Sequence, residues 1–217
     1  MSGKRTLDDK VLCLPSFVIP LNRPYNIYRA ERFKTSIQFI NVPYHATCFA
    51  LDACKAADYV VLALSSTVEV GHAGELLLRA LQAQGLPSVV AVVAPNDGLE
   101  PKAIQGVMKS LLSFVQYFVP SQTRVFDLQV ASDRLNAVRA LCEGKPGELR
   151  WRDGRTWLVG EHAEWSEGIL SVTGIVRGAA LSAKRLVHLP NHGDFQISKV
   201  TGTSLLLSGA MSILPSC

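Results

Sequence analysis

Between residues 10 and 143, short apolar runs alternate with segments of helical periodicity, and this alternation constrains the fold more than any other feature of the chain. The runs are Val11 to Leu14, SIQFI (36–40), DYVVLAL (58–64), SVVAVVA (88–94) and Arg124 to Leu128. Those at 58–64 and 88–94 are continuous rather than alternating, as strands covered on both faces require. Between them, Ala73, Leu76, Leu77, Ala80 and Leu81 recur at helical spacing and predict a helix from Val70 to Gln84, stopped by Gly85 and Pro87. Ile104, Val107, Met108, Leu111, Leu112, Val115 and Phe118 predict another over 100–118. Ser132 is the expected N-cap of a last helix carrying Leu135, Val138, Leu141 and Cys142 on one face and ending at Gly144. Strand alternating with helix gives an α/β fold, a parallel sheet with helices on both faces.

The pattern changes at EGKPGELRW. Glycine-punctuated strand candidates follow at Thr156 to Gly160, Ile169 to Val176, Arg185 to Leu189 and Phe195 to Val200. They predict a second, all-β, barrel-like domain. The expected division is a tail at 1–9, an α/β domain at 10–146 and a β-barrel domain at 147–217, with the text divergent or incomplete after 200.

Hydrophobic residues make up 48% of the chain and charged residues 18%, which excludes a disordered polymer. No run reaches the roughly 18–20 apolar residues a membrane span needs, and MSGKRTLDDK lacks the apolar core of a signal peptide. Five cysteines without a C-x-x-C pair point to a reducing compartment and away from a zinc site. The net charge of +4 is unevenly spread: residues 1–34 hold seven Lys/Arg against three Asp/Glu, and residues 121–217 eleven against nine. Such an excess suits a polyanionic partner as well as an ordinary solvated surface.

A three-layer domain followed by a small β-barrel is the layout of translational GTPases, so their motifs can be sought in place. A phosphate loop needs G-x-x-x-x-G-K-[ST] after the first strand, because backbone N–H groups, a lysine and a hydroxyl hold phosphates and magnesium. LPSFVIPLNRP has no glycine and no lysine, and Pro15, Pro20 and Pro24 remove three donors. D-x-P-G-H is replaced by NVPYH: Asn41 stands for the magnesium-linked aspartate, Tyr44 for the glycine that meets the γ-phosphate, and His45 for the histidine that positions water. The N-K-x-D position reads PNDGLE, and neither an alignment on Asn96 nor one on Asp97 restores a guanine-binding pair. The fold is therefore expected to be a degenerate P-loop GTPase-like sheet, with Asn41, Tyr44, Asn96 and Asp97 marking a lost nucleotide site. Five histidines form no H-x-x-x-H or H-E-x-x-H pair and no G-x-S-x-G elbow is present, so neither a metal site nor an enzyme is expected.

The second domain carries the most specific text. Trp151, Arg152, Asp153 and Arg155 match a W-R-D-x-R block. Val172, Gly174, Val176, Arg177 and Gly178 match V-x-G-x-V-R-G. Leu181 through Pro190 match L-S-A-x-R-L-V-H-[IL]-P, and Gly193 to Gln196 match G-D-F-Q. With LDACKAADYVVLALS and SDRLNAVRALCEGKP, this text resembles the Bms/Tsr family of ribosome-biogenesis GTPase-like proteins, and its Tsr branch, which lacks the phosphate loop. Asn191 departs from the usual glycine before His192. The resemblance implies a pseudo-GTPase without cofactor that binds the pre-small ribosomal subunit and acts in late pre-rRNA processing. The implied partners are pre-small-subunit rRNA, ribosomal proteins and other assembly factors, with no membrane and no homo-oligomer. The implied location is nucleus and nucleolus, with a cytoplasmic stage on the subunit. The translation-factor layout adds the expectation of a steric placeholder against translational GTPases. A genuine GTPase with unconventional loops, and a free-standing RNA- or protein-interaction module, are the alternatives.

RNA-contact candidates follow from charge. Arg23, Arg29, Arg32 and Lys34 lie in the basic first segment. Arg150, Arg152 and Arg155 share a face if their segment is extended, and Lys184, Arg185, His188 and His192 would complete a phosphate-contacting surface. The competing assignment pairs Arg152 or Arg155 with Asp153, Glu161 or Asp194. Trp151, Trp157 and Trp165 are assigned to the barrel core.

Overall fold

The computed structural model describes residues 8–15, 25–43, 46–95, 101–147, 150–202 and 208–214. The chain divides into two compact units between Gly147 and Glu148.

The first unit is built on β1 (Asp8–Pro15), β2 (Tyr25–Ala30), β3 (Thr35–Val42), β4 (Tyr59–Leu64), β5 (Ser88–Val93) and β6 (Val125–Asp127). Their order across the sheet is β2-β3-β1-β4-β5-β6. All pairings are parallel except that of β2 with β3, so β2 is an antiparallel edge. The helices are α1 (Thr47–Ala56), α2 (His72–Gln84), α3 (Pro101–Phe118) and α4 (Ala131–Glu143). Alternation along each strand sorts the two layers. Leu12, Ile37, Tyr59, Val61, Val90 and Val92 pack with Ala137, Leu141 and Cys142 of α4, and Val60, Leu62, Leu64, Ala91 and Val93 are buried on the opposite face. On the first of these faces, Phe33 and Phe39 join α4 in covering the sheet.

The predicted strands and helices are present with ends shifted by a few residues, and β2 was not anticipated. Ser132 does not cap α4. Val130 holds the cap position without a side-chain bond, and Asp133 in the first turn instead ties the helix start to β6: its carboxylate accepts the Asp127 N–H at 3.1 Å and the guanidinium of Arg124. An acid in the first turn also opposes the positive end of the helix dipole, which a hydroxyl cannot do.

The other end of α4 is closed by a lysine from β1. The last carbonyls of a helix have no partner within it. Lys10, only 7% exposed, donates from Nζ to Leu141 O at 3.1 Å, Cys142 O at 2.7 Å and Gly144 O at 2.8 Å. Its ammonium group sits at the negative end of the helix dipole and 5.6 Å from the Tyr59 ring centroid. Gly144 is required by this junction, since a Cβ there would lie 2.3 Å from Ala140 O and 2.7 Å from Tyr59 Oη. Burial pushes the neighbouring Cys142 thiol above its ordinary pKa, against the opposing pull of the Lys10 charge. Replacing Lys10 with Met would strand three carbonyls and should cost about 2–4 kcal/mol of stability. Urea unfolding is the measurement, with the midpoint falling and the slope unchanged.

The second unit is a five-stranded antiparallel sheet of β7 (Thr156–Ser166), β8 (Ile169–Gly178), β9 (Leu186–Leu189), β10 (Gly193–Gly202) and β11 (Ser208–Leu214). Its order is β7-β8-β11-β10-β9. The hairpins β7–β8 and β9–β10 are therefore joined through β11, which comes last in the chain yet occupies the centre of the sheet. That strand lies in the text beyond Val200, where no strand was anticipated. The core is small: Ile197, at 3% exposure, is surrounded by Leu158, Leu170, Leu181, Val187, Leu189, Phe195 and Val200.

Two sequence features acquire physical reasons. Gly178 has φ of 70°, and a Cβ on it would sit 2.2 Å from Arg155 O and 3.0 Å from Arg152 O. Asn191, the departure from the family pattern, has φ of 67° in the β9–β10 turn. After glycine, asparagine is among the residues that best tolerate that left-handed region. The assignment of the tryptophans to the core needs correction. Trp157 is half-buried and donates from Nε1 to Arg152 O at 3.1 Å, but Trp165 is 63% exposed. It stands near the end of a hairpin that outruns the small core. The Trp151 side chain lies outside the described residues.

Candidate functional site

In a doubly wound sheet, ligands bind beyond the carboxyl ends of the strands, where the winding reverses. Here the reversal is at β1, flanked by β3 and β4, and the crevice would be built from the segments after Pro15, Val42, Leu64 and Val93. Only nine residues, 16–24, connect β1 to β2. Both ends of that connection lie on the crevice side of the sheet, because β2 runs against β3 and β1 runs with it. Crossing over β3 needs about 10 Å, two strand spacings. An eight-residue phosphate loop, a helix of about ten residues and a return of about 15 Å need well over twenty residues. The nine-residue connection is shorter than that span. The sequence carries this signal as a spacing that becomes visible only once β2 is placed.

Asn41 sits on β3 opposite Leu14, 6% exposed and within the sheet rather than in a loop. Tyr44, His45, Asn96 and Asp97 lie outside the described residues. After β4, Ser65 Oγ accepts the N–H groups of Thr67 and Val68 at 3.2 and 3.1 Å, so its hydroxyl closes a local turn. A cleft between β5, β6 and α3 is lined mainly by Val93, Ala94, Ile104, Val107 and Met108. Its acid, Asp127, accepts the Gln129 N–H at 2.8 Å.

The charged candidates fall into separate groups. Arg29 on β2, Arg32 in the 3-10 turn Glu31–Phe33 and Lys34 after it are all exposed, within six residues of the edge of the first sheet. Lys34 adopts the left-handed conformation, φ 52°, and its N–H bonds to Glu31 O. Arg32 lies 5.9 Å from the Phe33 ring centroid. None of these three cations forms an ion pair among the described residues. Arg23 lies outside them. In the second unit, Lys184, Arg185 and His192 are exposed. His188 on β9 faces Asp194 on β10, with Nδ1 and Oδ1 2.8 Å apart, so this histidine already has an acidic partner.

The arginine block differs from expectation. Arg150–Asp153 is a short helix, α5, not an extended strand, so residues two apart do not share a face. The Arg152 side chain is 12% exposed, its Nε bonds to Asp153 Oδ1 at 3.2 Å, and its carbonyl accepts Trp157 Nε1. Arg152 is thus a structural residue and the Arg152–Asp153 pairing holds. Arg155 is exposed and engages Ala179 only through its backbone carbonyl. The Arg150 side chain lies outside the described residues. Arg152→Ala should therefore destabilise the second unit by about 1 kcal/mol, whereas Arg155→Ala should leave its thermal midpoint unchanged. Thermal unfolding of the two variants separates them.

Comparison with known proteins gives these features a context. Residues 19–143 match the model of the Tsr1 G-like domain, and residues 145–205 match the AARP2CN (NUC121) domain. The ribosome biogenesis protein tsr1 of Schizosaccharomyces pombe is 40% identical over 171 residues, covering 78% of this chain and 22% of that protein. The mouse pre-rRNA-processing protein TSR1 homolog is 32% identical over 158 residues, covering 69% of this chain and 19% of its own length. The chain thus spans about a fifth of the length of these relatives. Among solved structures, elongation factor SelB from Methanococcus maripaludis, in complex with the GTP analogue GppNHp, aligns over 98% of this chain and 53% of its own, with a TM-score of 0.64 and 12% identity. A bacterial selenocysteine-specific elongation factor, EF-Sec, aligns over 97% of this chain and 43% of its own with the same TM-score. That likeness establishes a GTPase-type translation-factor fold. The match to the Tsr1 G-like model across more than half of the sequence makes the chain a member of the Tsr1 family.

Proposed function

We propose that this chain serves ribosome biogenesis as a nucleotide-free pseudo-GTPase that binds the pre-small ribosomal subunit during late pre-rRNA processing. The observation that carries this reading is the nine-residue connection from β1 to β2, which leaves no length for a phosphate loop and its helix. The substitutions at Asn41, Tyr44, Asn96 and Asp97 act in the same direction. The names of the relatives supply the process. The proposed organisation is a tail at 1–9, a pseudo-GTPase domain at 10–146 and a β domain at 147–217. It is supported by the division after Gly147 and by family matches that meet near residue 144. The location that goes with this function is the nucleus and nucleolus, followed by a cytoplasmic stage. Partners are pre-small-subunit rRNA, ribosomal proteins and assembly factors. Held on the subunit without a hydrolytic switch for release, a protein of this fold acts as a placeholder where translational GTPases would dock.

Two measurements test the reading. Calorimetric titration with GTP or GDP and magnesium is expected to give no binding; micromolar affinity would restore the GTPase alternative. Contact with rRNA is assigned to Arg29, Arg32 and Lys34, which are exposed and without ion-pair partners among the described residues, and to Arg23, Arg155, Lys184, Arg185 and His192. Reversing Arg29, Arg32 and Lys34 to Glu should flatten the dependence of log K on log salt by roughly 2–3, since each neutralised phosphate contributes about 0.7–0.9 to the slope. An unchanged slope would remove these residues from the interface.

A further inference from the structure

The β7–β8 hairpin carries a surface that the rRNA-binding residues do not use. All eight residues from Glu161 to Gly168 are exposed, on both faces of the ribbon. The hairpin is nonetheless fully built. Ser166 pairs with Ile169 across a two-residue turn, and Glu167 and Gly168 both have positive φ, 52° and 78°. That is the turn whose twist matches two antiparallel strands. A register shift interrupts β7 between Gly160 and His162, and such bulges re-aim the strand that follows.

Beyond that bulge stands Trp165, 63% exposed and opposite Leu170, which belongs to the Ile197 cluster. The indole thus prolongs the apolar face of the sheet past its core. The same ribbon carries Glu161 at the bulge, Glu164 on the face opposite Trp165 and Glu167 in the turn, none in an ion pair among the described residues. From Thr156 to Val176 the sequence holds no Lys or Arg at all. A phosphate backbone would meet three uncompensated carboxylates here, which disfavours stacking of an RNA base on the indole. A preformed ribbon with one large exposed aromatic on one face and acids on its tip and both sides has the complementary requirement: a cleft that takes the indole and meets the ribbon with cations.

We infer that the β7–β8 hairpin is a docking finger for a basic protein segment, with Trp165 as its anchor and Glu161, Glu164 and Glu167 selecting positive charge. The choice of probe rests on the proposed ribosomal function, but the residues do not overlap with the rRNA contacts. The test places a photo-crosslinking p-benzoylphenylalanine at position 165 of the full chain and irradiates it with purified pre-small ribosomal subunits and, separately, with rRNA-free small-subunit ribosomal proteins. The expected product is an adduct to another protein that resists ribonuclease and is lost on protease treatment. Introducing E161K/E164K/E167K should lower its yield at least tenfold while circular dichroism stays unchanged. As a second variant, Trp165→Ser should weaken co-sedimentation with the subunits at least tenfold, with the salt slope retained. An RNA adduct, an adduct within the same chain, or no protein adduct with either probe would overturn the inference. So would a protein adduct insensitive to the charge reversal. Failure of the wild-type chain to co-sediment at all would instead overturn the ribosomal reading, while an adduct with the free ribosomal proteins would still support the finger.

Discussion

Lys10 ties the first strand of the α/β unit to its last helix. One ammonium group, almost wholly withdrawn from water, satisfies three carbonyls at the end of α4, and the loop that follows depends on Gly144 to let the helix end close against Tyr59. The contact joins positions more than 130 residues apart. A charge so buried is tolerable only because every proton finds an acceptor and the helix dipole has the right sign. It is compatible with the position of β1 inside the sheet, between β3 and β4, beneath the face that α4 covers.

This separates the two ends of β1. At its start the strand carries the lysine on which the domain is assembled. At its end it would, in a nucleotide-binding relative, deliver the chain into a phosphate loop. The strand performs the first task here, and the nine-residue connection to β2 is what the proposed pseudo-GTPase reading sets against the second. Phe33 and Phe39 help α4 to cover a face of the sheet that a helix after β1 would otherwise share.

Most of this architecture was legible because buried parallel strands write themselves as unbroken runs: YVVLAL and SVVAVV need no partner to be recognised. The edge strand YNIYRA was not legible. It is half solvated, and Tyr28 and Ile27 point to opposite faces with more than half their surface exposed, so no period stands out. The central strand SGAMSIL was missed for a related reason: small residues and serines look like a linker, and only pairing on both sides makes them a strand. At the candidate interface, composition located the cations but not their geometry. The block Arg150–Arg155 read as an extended stripe, yet four of its residues coil into α5 and Arg152 turns inward to Asp153. A tryptophan in a strand likewise gives no sign of whether its strand outruns the core, as β7 does at Trp165.

The position of β11 sets the order in which the second unit can be assembled. As the chain is synthesised, β7–β8 and β9–β10 are complete before β11 exists, and each hairpin presents one long unpaired edge. In the native sheet the two do not pair with each other, because β11 lies between them. Until β11 arrives the nascent chain carries two open templates, the situation in which wrong pairing and aggregation are most exposed. Closure is then a single late step in which one seven-residue segment zips both edges at once. Among the described residues β11 is thus the one strand that couples the two hairpins, so a change that loosens its pairing would divide the sheet into two ribbons.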